Sequence, residues 1–166
     1  MTQQALRTEP ATEAPETGIS AETAIANALG GVLGDSLVLF VKTQGYHWNV
    51  VGPLFQPLHE MTESQYRDLF EAIDVIAERI RALGQIAPFS TADMISHASL
   101  NEEDTSRSAE GMVEQLISDN EAIVRRLRET AALAAEHGDG ATEDLMNGRM
   151  AKHEQAVWML RAITSG

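Results

Sequence analysis

The sequence predicts an all-α protein, a bundle of four long helices with a short helix in the long connection between the second and third. Three observations predict it. Apolar residues recur in steps of three and four along four long stretches. Strand signals are weak. The breaks carry glycine or proline, and the one between the second and third stretches is much the longest.

Residues 1–19 are rich in Thr, Glu, Ala and Pro, with Arg7 their one basic residue, which predicts a disordered tail before a domain spanning 20–166. Ser20 is the expected N-cap of the first helix. That helix runs from Ala21 to about Asn49, with Ile25, Leu29, Val32, Leu33, Leu37, Phe40 and Val41 on one broad face. Gly30 and Gly31 lie inside it. Each weakens a helix by roughly 1 kcal/mol relative to alanine, and close packing is one reason to keep them. The segment VVGPLFQP breaks the pattern.

The second helix runs from about Gln56 to Leu83, with Leu69, Ile73, Ile76, Ile80 and Leu83 as its seam and Gly84 as its stop. A connection from Gln85 to about Thr105 follows, and TADMISHA within it is the short-helix candidate. The third long helix spans about Thr105 to Glu136, with Met112, Val113, Leu116, Ile117, Ile123, Val124 and Leu127 inward. After the break HGDGA, the fourth runs from about Thr142 to Thr164 on Leu145, Met146, Met150, Val157, Leu160 and Ile163.

Composition narrows the chemistry. The chain has 166 residues, the size of one domain, and is 43% hydrophobic. No run of about 18 apolar residues suggests a membrane span. The first residues lack the apolar centre of a secretory signal, so a cytoplasmic location is expected. There is no cysteine, which excludes disulfides and thiolate metal sites. Oxygen and imidazole ligands remain, suited to iron, manganese or zinc. The net charge of -13 disfavours electrostatic capture of DNA and is compatible with drawing cations in.

The second helix carries a polar stripe. His59, Glu63, Asp74 and Glu78 fall at roughly 0°, 40°, 60° and 100° around the axis. Such a stripe suits a hard or borderline metal, although acid–base pairs at this spacing are often only a solvated face. Glu63 and Asp74 are about 16 Å apart along the axis, whereas a metal–ligand bond is roughly 2 Å. One chain therefore cannot bring both pairs to one metal. An antiparallel copy can, if a twofold axis passes near Asp68 and Leu69, and isologous pairing then makes two equal sites. No histidine has Glu three residues before it, so the Glu-x-x-His pattern of an intrachain di-iron bundle is absent.

At these residues the sequence resembles a known family. YHWNVVGPLFQPLHEMTESQY, DVIAERIRALG and DLMNGRMAKHEQAVWMLRA are similar to segments of the Dps miniferritins, the DNA-binding proteins from starved cells. The likeness extends from about residue 20 to the C-terminus and implies a ferritin-like fold. It implies that His47, His59 and Glu63 are iron ligands from one subunit, and Asp74 and Glu78 those from its dimer partner. The family more often has Asp where this chain has Glu63. Trp48 resembles the tryptophan beside that centre. Asp139 and Asp144 resemble acids lining threefold entry pores, while Gly148 stands where a third would follow, and the bland role for both is helix capping. Glu60 is a candidate for mineral nucleation. His97 and His137 are assigned to no site, and His153 and Glu154 read as polar positions on the last helix.

The resemblance implies a shell of twelve subunits, built from twofold dimers. Iron(II) would be oxidised there, preferentially by hydrogen peroxide, and stored as ferric mineral. Zinc could compete for the same ligands. The alternative is a DNA-compacting protein. Family members that bind DNA commonly use lysine-rich tails, and these tails lack them. A zinc hydrolase has little support, since no G-x-S-x-G motif is present.

Overall fold

The structure is a computed structural model and describes residues 14–101 and 108–164. It contains α1 (Glu22–Asn49), α2 (Phe55–Ala82), α3 (Thr91–Ser96), α4 (Ala109–Glu136) and α5 (Gly140–Thr164), with no strand among the described residues. The all-helical, ferritin-like architecture is the one the periodicity predicts. Two hairpins, α1 with α2 and α4 with α5, are each joined by a short turn and carry the closest pairings. The hairpins meet mainly through α1 and α4, and the short α3 packs on α1.

The core is one cluster contributed by all four long helices, including Ile25, Leu33, Leu58, Ile76, Leu116, Ile123, Met146 and Leu160. By length and hydropathy α1 could cross a membrane, but 67% of its most apolar window is buried in the bundle. Its apolarity belongs to the core, where it faces α2, α3 and α4.

The helix ends follow local chemistry. Pro57 is tolerated because the first-turn N–H groups of α2 have no intrahelical partner. Gly84 closes α2 at φ 75°, where its N–H donates to Arg81 O and that of Gln85 donates to Ile80 O. A residue with a Cβ resists that left-handed conformation. The same pair of bonds closes α4 around Gly138.

The expected cap by Ser20 is corrected. Ala21 occupies the N-cap of α1 with φ 58° and no side-chain cap. Ser20 instead donates its N–H to His137 O at 3.1 Å, and its hydroxyl lies 3.0 Å from His137 Nδ1. The stretch 14–20 therefore reaches the α4–α5 turn, at residues placed mostly in the expected tail. The rest of that tail, 1–13, and the expected start of the third long helix at Thr105 lie outside the described residues.

Close packing holds for Gly31 but not for Gly30, where a Cβ would sit 3.9 Å from the nearest atom, in the His97 ring, and Gly34 is a second tight position. A Cβ at Gly31 would sit 2.9 Å from the Arg126 guanidinium carbon, and one at Gly34 would sit 2.5 Å from Met94 O. Arg126 crosses α1 there to reach Asp35 Oδ2 at 2.7 Å. Asp35 is 1% exposed and also accepts from Ser99 N, Ser99 Oγ and Leu100 N. One buried carboxylate thus joins α1, α4 and the end of the long connection.

Candidate metal centre

His47 lies in the last turn of α1 and His59 in the second turn of α2, so the short α1–α2 turn brings them face to face. Their rings stack with centroids 3.8 Å apart and 14° between planes. His47 Nδ1 lies 2.8 Å from His59 O, and His59 Nδ1 lies 2.9 Å from His47 O. A carbonyl oxygen only accepts, so each Nδ1 carries the proton and donates. Each Nε2 is then left as a lone-pair donor. Fixing a ligand histidine through its other nitrogen is the usual way to orient it on a metal.

The surrounding groups hold this pair. Phe55 stacks on His59 at 5.0 Å, and Tyr66 meets His47 edge-on at 5.3 Å. Neither was foreseen as a site residue. The signal for Phe55 is its i,i+4 spacing from His59 in the first turns of α2. Glu63, half-exposed, follows one helical turn after His59. Its Oε1 accepts from Arg67 Nη2 at 2.6 Å and Nε at 3.0 Å. The Arg67 hydrogen bond and charge hold the Glu63 carboxyl below its ordinary value against a smaller upward push from burial, and the two histidines lower it further.

Asp74 and Glu78 are both exposed on α2. The straight helix keeps them about 16 Å and more along its axis from Glu63. Among the described residues of one chain, no three His, Asp or Glu side chains are grouped to hold a metal. Near positions 68 and 69, the register of the expected twofold axis, the side chains divide between core and surface. Leu69 is 3% exposed in the core, and Asp68 turns toward α5, paired with Arg149 at 2.6 Å. At that register α2 presents Arg67, Phe70 and Glu71 outward, with Phe70 66% exposed.

The remaining candidates are placed as follows. Trp48 is largely exposed and walls off nothing within one chain. Glu60 is exposed and accepts from Gln56 Nε2 at 3.2 Å. Asp144 is exposed, and a Cβ at Gly148 would meet open space. Asp139 is corrected from pore acid to structural cap. It is fully buried, with Oδ1 accepting from Thr142 N and Arg79 Nη2 and Oδ2 from Thr142 Oγ1. Burial pushes its carboxyl up, but bonds from Arg79 and Thr142 outweigh that and leave it lowered.

His153 is the polar position on α5 that the sequence suggests, but it is buried, at 3% exposed. Its Nδ1 lies 2.7 Å from Asn120 Oδ1. Burial, and then the Arg149 charge, lower it to about 3, with Asp68 opposing. Sequence reasoning also missed the Lys42–Asp119 ion pair at 2.7 Å, buried between α1 and α4.

Comparison with known proteins agrees with this architecture. Residues 26–165 match the ferritin-like domain family. An uncharacterized low temperature-induced protein of Nostoc sp. is 42% identical over 86% of this chain and 80% of its own length. DNA protection during starvation protein 2 of Bacillus anthracis is 36% identical over 83% of this chain and 94% of its own. The crystal structure of a Vibrio cholerae Dps protein, described as a member of a broad superfamily of ferritin-like diiron-carboxylate proteins, superposes with a TM-score of 0.81 at 33% identity. It covers 85% of this chain and 89% of that one. These relationships support an iron-storage and protective function, with ferroxidase activity in general. Four-helix fold, matched domain and relatives together make the chain a member of the Dps family of miniferritins.

Proposed function

We propose that this protein oxidises iron(II), preferentially with hydrogen peroxide, at two-iron centres shared between chains. His47, His59 and Glu63 of one chain supply one side of each centre, and Asp74 and Glu78 of a twofold partner supply the other. The observation that carries this reading is the reciprocal His47–His59 clasp, which leaves two Nε2 lone pairs, with Glu63 one helical turn after His59 on α2. A tight imidazole pair with one carboxylate is an incomplete ligand set, and α2 displays the missing carboxylates on an outward stripe around exposed Phe70. An isologous pairing of α2 completes two such sets at once.

The chemistry follows from the ligand types. Carboxylates favour iron(III) over iron(II) by neutralising the extra charge. Two iron(II) ions each give one electron, and peroxide with two protons takes both electrons and becomes two waters. No hydroxyl radical is then released. Before metal enters, Glu63 must leave Arg67, an exchange that costs little at an exposed i,i+4 pair. Ferric product is stored in a twelve-chain shell built from these dimers, in the cytoplasm. Asp144 guides cations at the pore, Glu60 assists nucleation, Trp48 stands beside the centre as an accessory electron donor, and zinc competes for the ligands. Protection of DNA comes from removing iron(II) and peroxide, since a chain of net charge -13 does not hold phosphate backbones.

Co-assembly of two defective chains tests the shared centre. One carries His59→Ala, and the other carries Asp74→Asn with Glu78→Gln. Each alone is strongly slowed. Mixed in equal amounts, half the dimers are hybrids with one intact centre of two, so about a quarter of wild-type oxidation returns. No recovery in particles of correct mass would refute the cross-chain assignment.

A further inference from the structure

A second polar site lies away from the histidine pair. Between α2 and α5 is a pocket of about 310 Å3, near the lower end of the roughly 300–1,000 Å3 typical of ligand pockets. Its lining includes Arg149, Lys152 and Asp68, a local formal charge of +1 on a chain of net charge -13. Asp68 is already engaged, by Arg149 at 2.6 Å and by Lys152 at 3.8 Å. The cations are therefore held in place by a carboxylate that does not neutralise both.

His153 also lines the pocket. Asn120 donates its amide to Leu116 O, so its Oδ1 is an acceptor and His153 Nδ1 carries the proton toward it. His153 Nε2 is then an unprotonated acceptor. Burial and the nearby Arg149 keep the ring neutral by lowering it to about 3. Gln65, on the same lining, has a buried amide nitrogen without a partner among the described residues. A buried donor left unmatched is costly, and an acceptor on a bound ligand would relieve it. The pocket thus combines cationic donors, a spare amide donor and one lone pair that can only accept.

We propose that this pocket binds a small oxyanion that still carries a proton, of the hydrogen phosphate type. Its charged oxygens face Arg149, Lys152 and the Gln65 amide, and its hydroxyl donates to His153 Nε2. A fully deprotonated oxyanion of the same shape and charge sets an oxygen lone pair against that nitrogen and is rejected. This site is independent of iron oxidation and rests on none of its ligands.

The test uses the iron-free assembled protein and labelled inorganic phosphate in equilibrium dialysis near neutral pH, with sulfate as competitor. One saturable phosphate per chain is expected, with sulfate at least about tenfold weaker, because a buried acceptor penalises a ligand lacking the hydroxyl. Lys152→Gln and Gln65→Leu should each weaken phosphate severalfold in particles of unchanged mass. Lys152 is mostly exposed, so its replacement leaves the bundle intact. Absence of saturable binding, sulfate binding as tightly as phosphate, or affinity unchanged in both variants would each overturn the proposal.

Discussion

His47 and His59 hold each other by symmetry of role, each ring donating Nδ1–H to the other's backbone carbonyl while the rings stack 3.8 Å apart. The two are locked in one tautomer before any metal arrives. Imidazole nitrogen NMR on the iron-free protein should show the neutral form of both rings as the Nδ1–H tautomer. Changing one ring removes a ligand and the stacking partner of the other ring, so His47→Ala and His59→Ala should each slow iron(II) oxidation by about 10- to 100-fold or more. Particle mass should stay unchanged. A normal rate in the double variant would contradict the ligand assignment.

Phe70 is 66% exposed at the register where α2 would pair with a copy of itself. Phe70→Glu should place like charges across that axis and break the dimer. Light scattering and oxidation rate should then fall together. Assembly lost with activity retained would argue for centres within single chains.

Asp35 is buried and accepts from Arg126, Ser99 and Leu100. Asp35→Ala removes the carboxylate partner of the Arg126 guanidinium, which keeps only backbone carbonyls such as Gly31 O, and leaves the Ser99 and Leu100 N–H groups without their acceptor. Loss of one partner of a buried pair typically costs about 3–5 kcal/mol. Arg126 retains some solvent access, so the lower end, about 3 kcal/mol, is expected in urea unfolding at fixed chain concentration.

Acid should destabilise the fold through His153. Its folded value, about 3, lies below the ordinary 6.5. Between those values the unfolded chain binds a proton that the folded chain refuses. Stability therefore falls as pH drops from 6.5 toward 3, by an amount on the order of a few kcal/mol. His153→Gln should flatten that part of the pH profile. Asp139 acts lower on the scale. Its carboxyl is below the ordinary 3.8 when folded, so its contribution is present above that pH and lost as pH falls through the lowered value. Asp139→Asn should therefore destabilise at neutral pH and differ little from wild type in strong acid.

The helices were legible because each buries a stripe that the sequence repeats at helical period, as Leu69, Ile76 and Ile80 do on α2. The polar stripe of His59, Glu63, Asp74 and Glu78 was legible for the same reason, since spacing within one helix fixes a shared face. Contacts between helices were not. Nothing in the spacing of Asp35, Arg126 and Ser99 says that they meet, and nothing in that of Lys42 and Asp119 pairs them until α1 and α4 are set side by side. The family likeness named Asp139 and Asp144 together, but burial separates them: Arg79 and Thr142 take up the first, and the second stays in solvent. Ser20 has the chemistry of a cap, yet the turn at His137 gives it a different partner.

The Asp35 junction also bears on the order in which the molecule assembles. Each hairpin closes through neighbours in sequence, which is fast, whereas Asp35 must find Ser99 and Arg126 across 64 and 91 residues. The hairpins are expected to form early and the connection to dock late. In native-state hydrogen exchange the amides of Ser99 and Leu100 should then open in a smaller, earlier-released unit than the centre of α1, so a nascent chain can have its two histidines clasped while its halves are still free to swing.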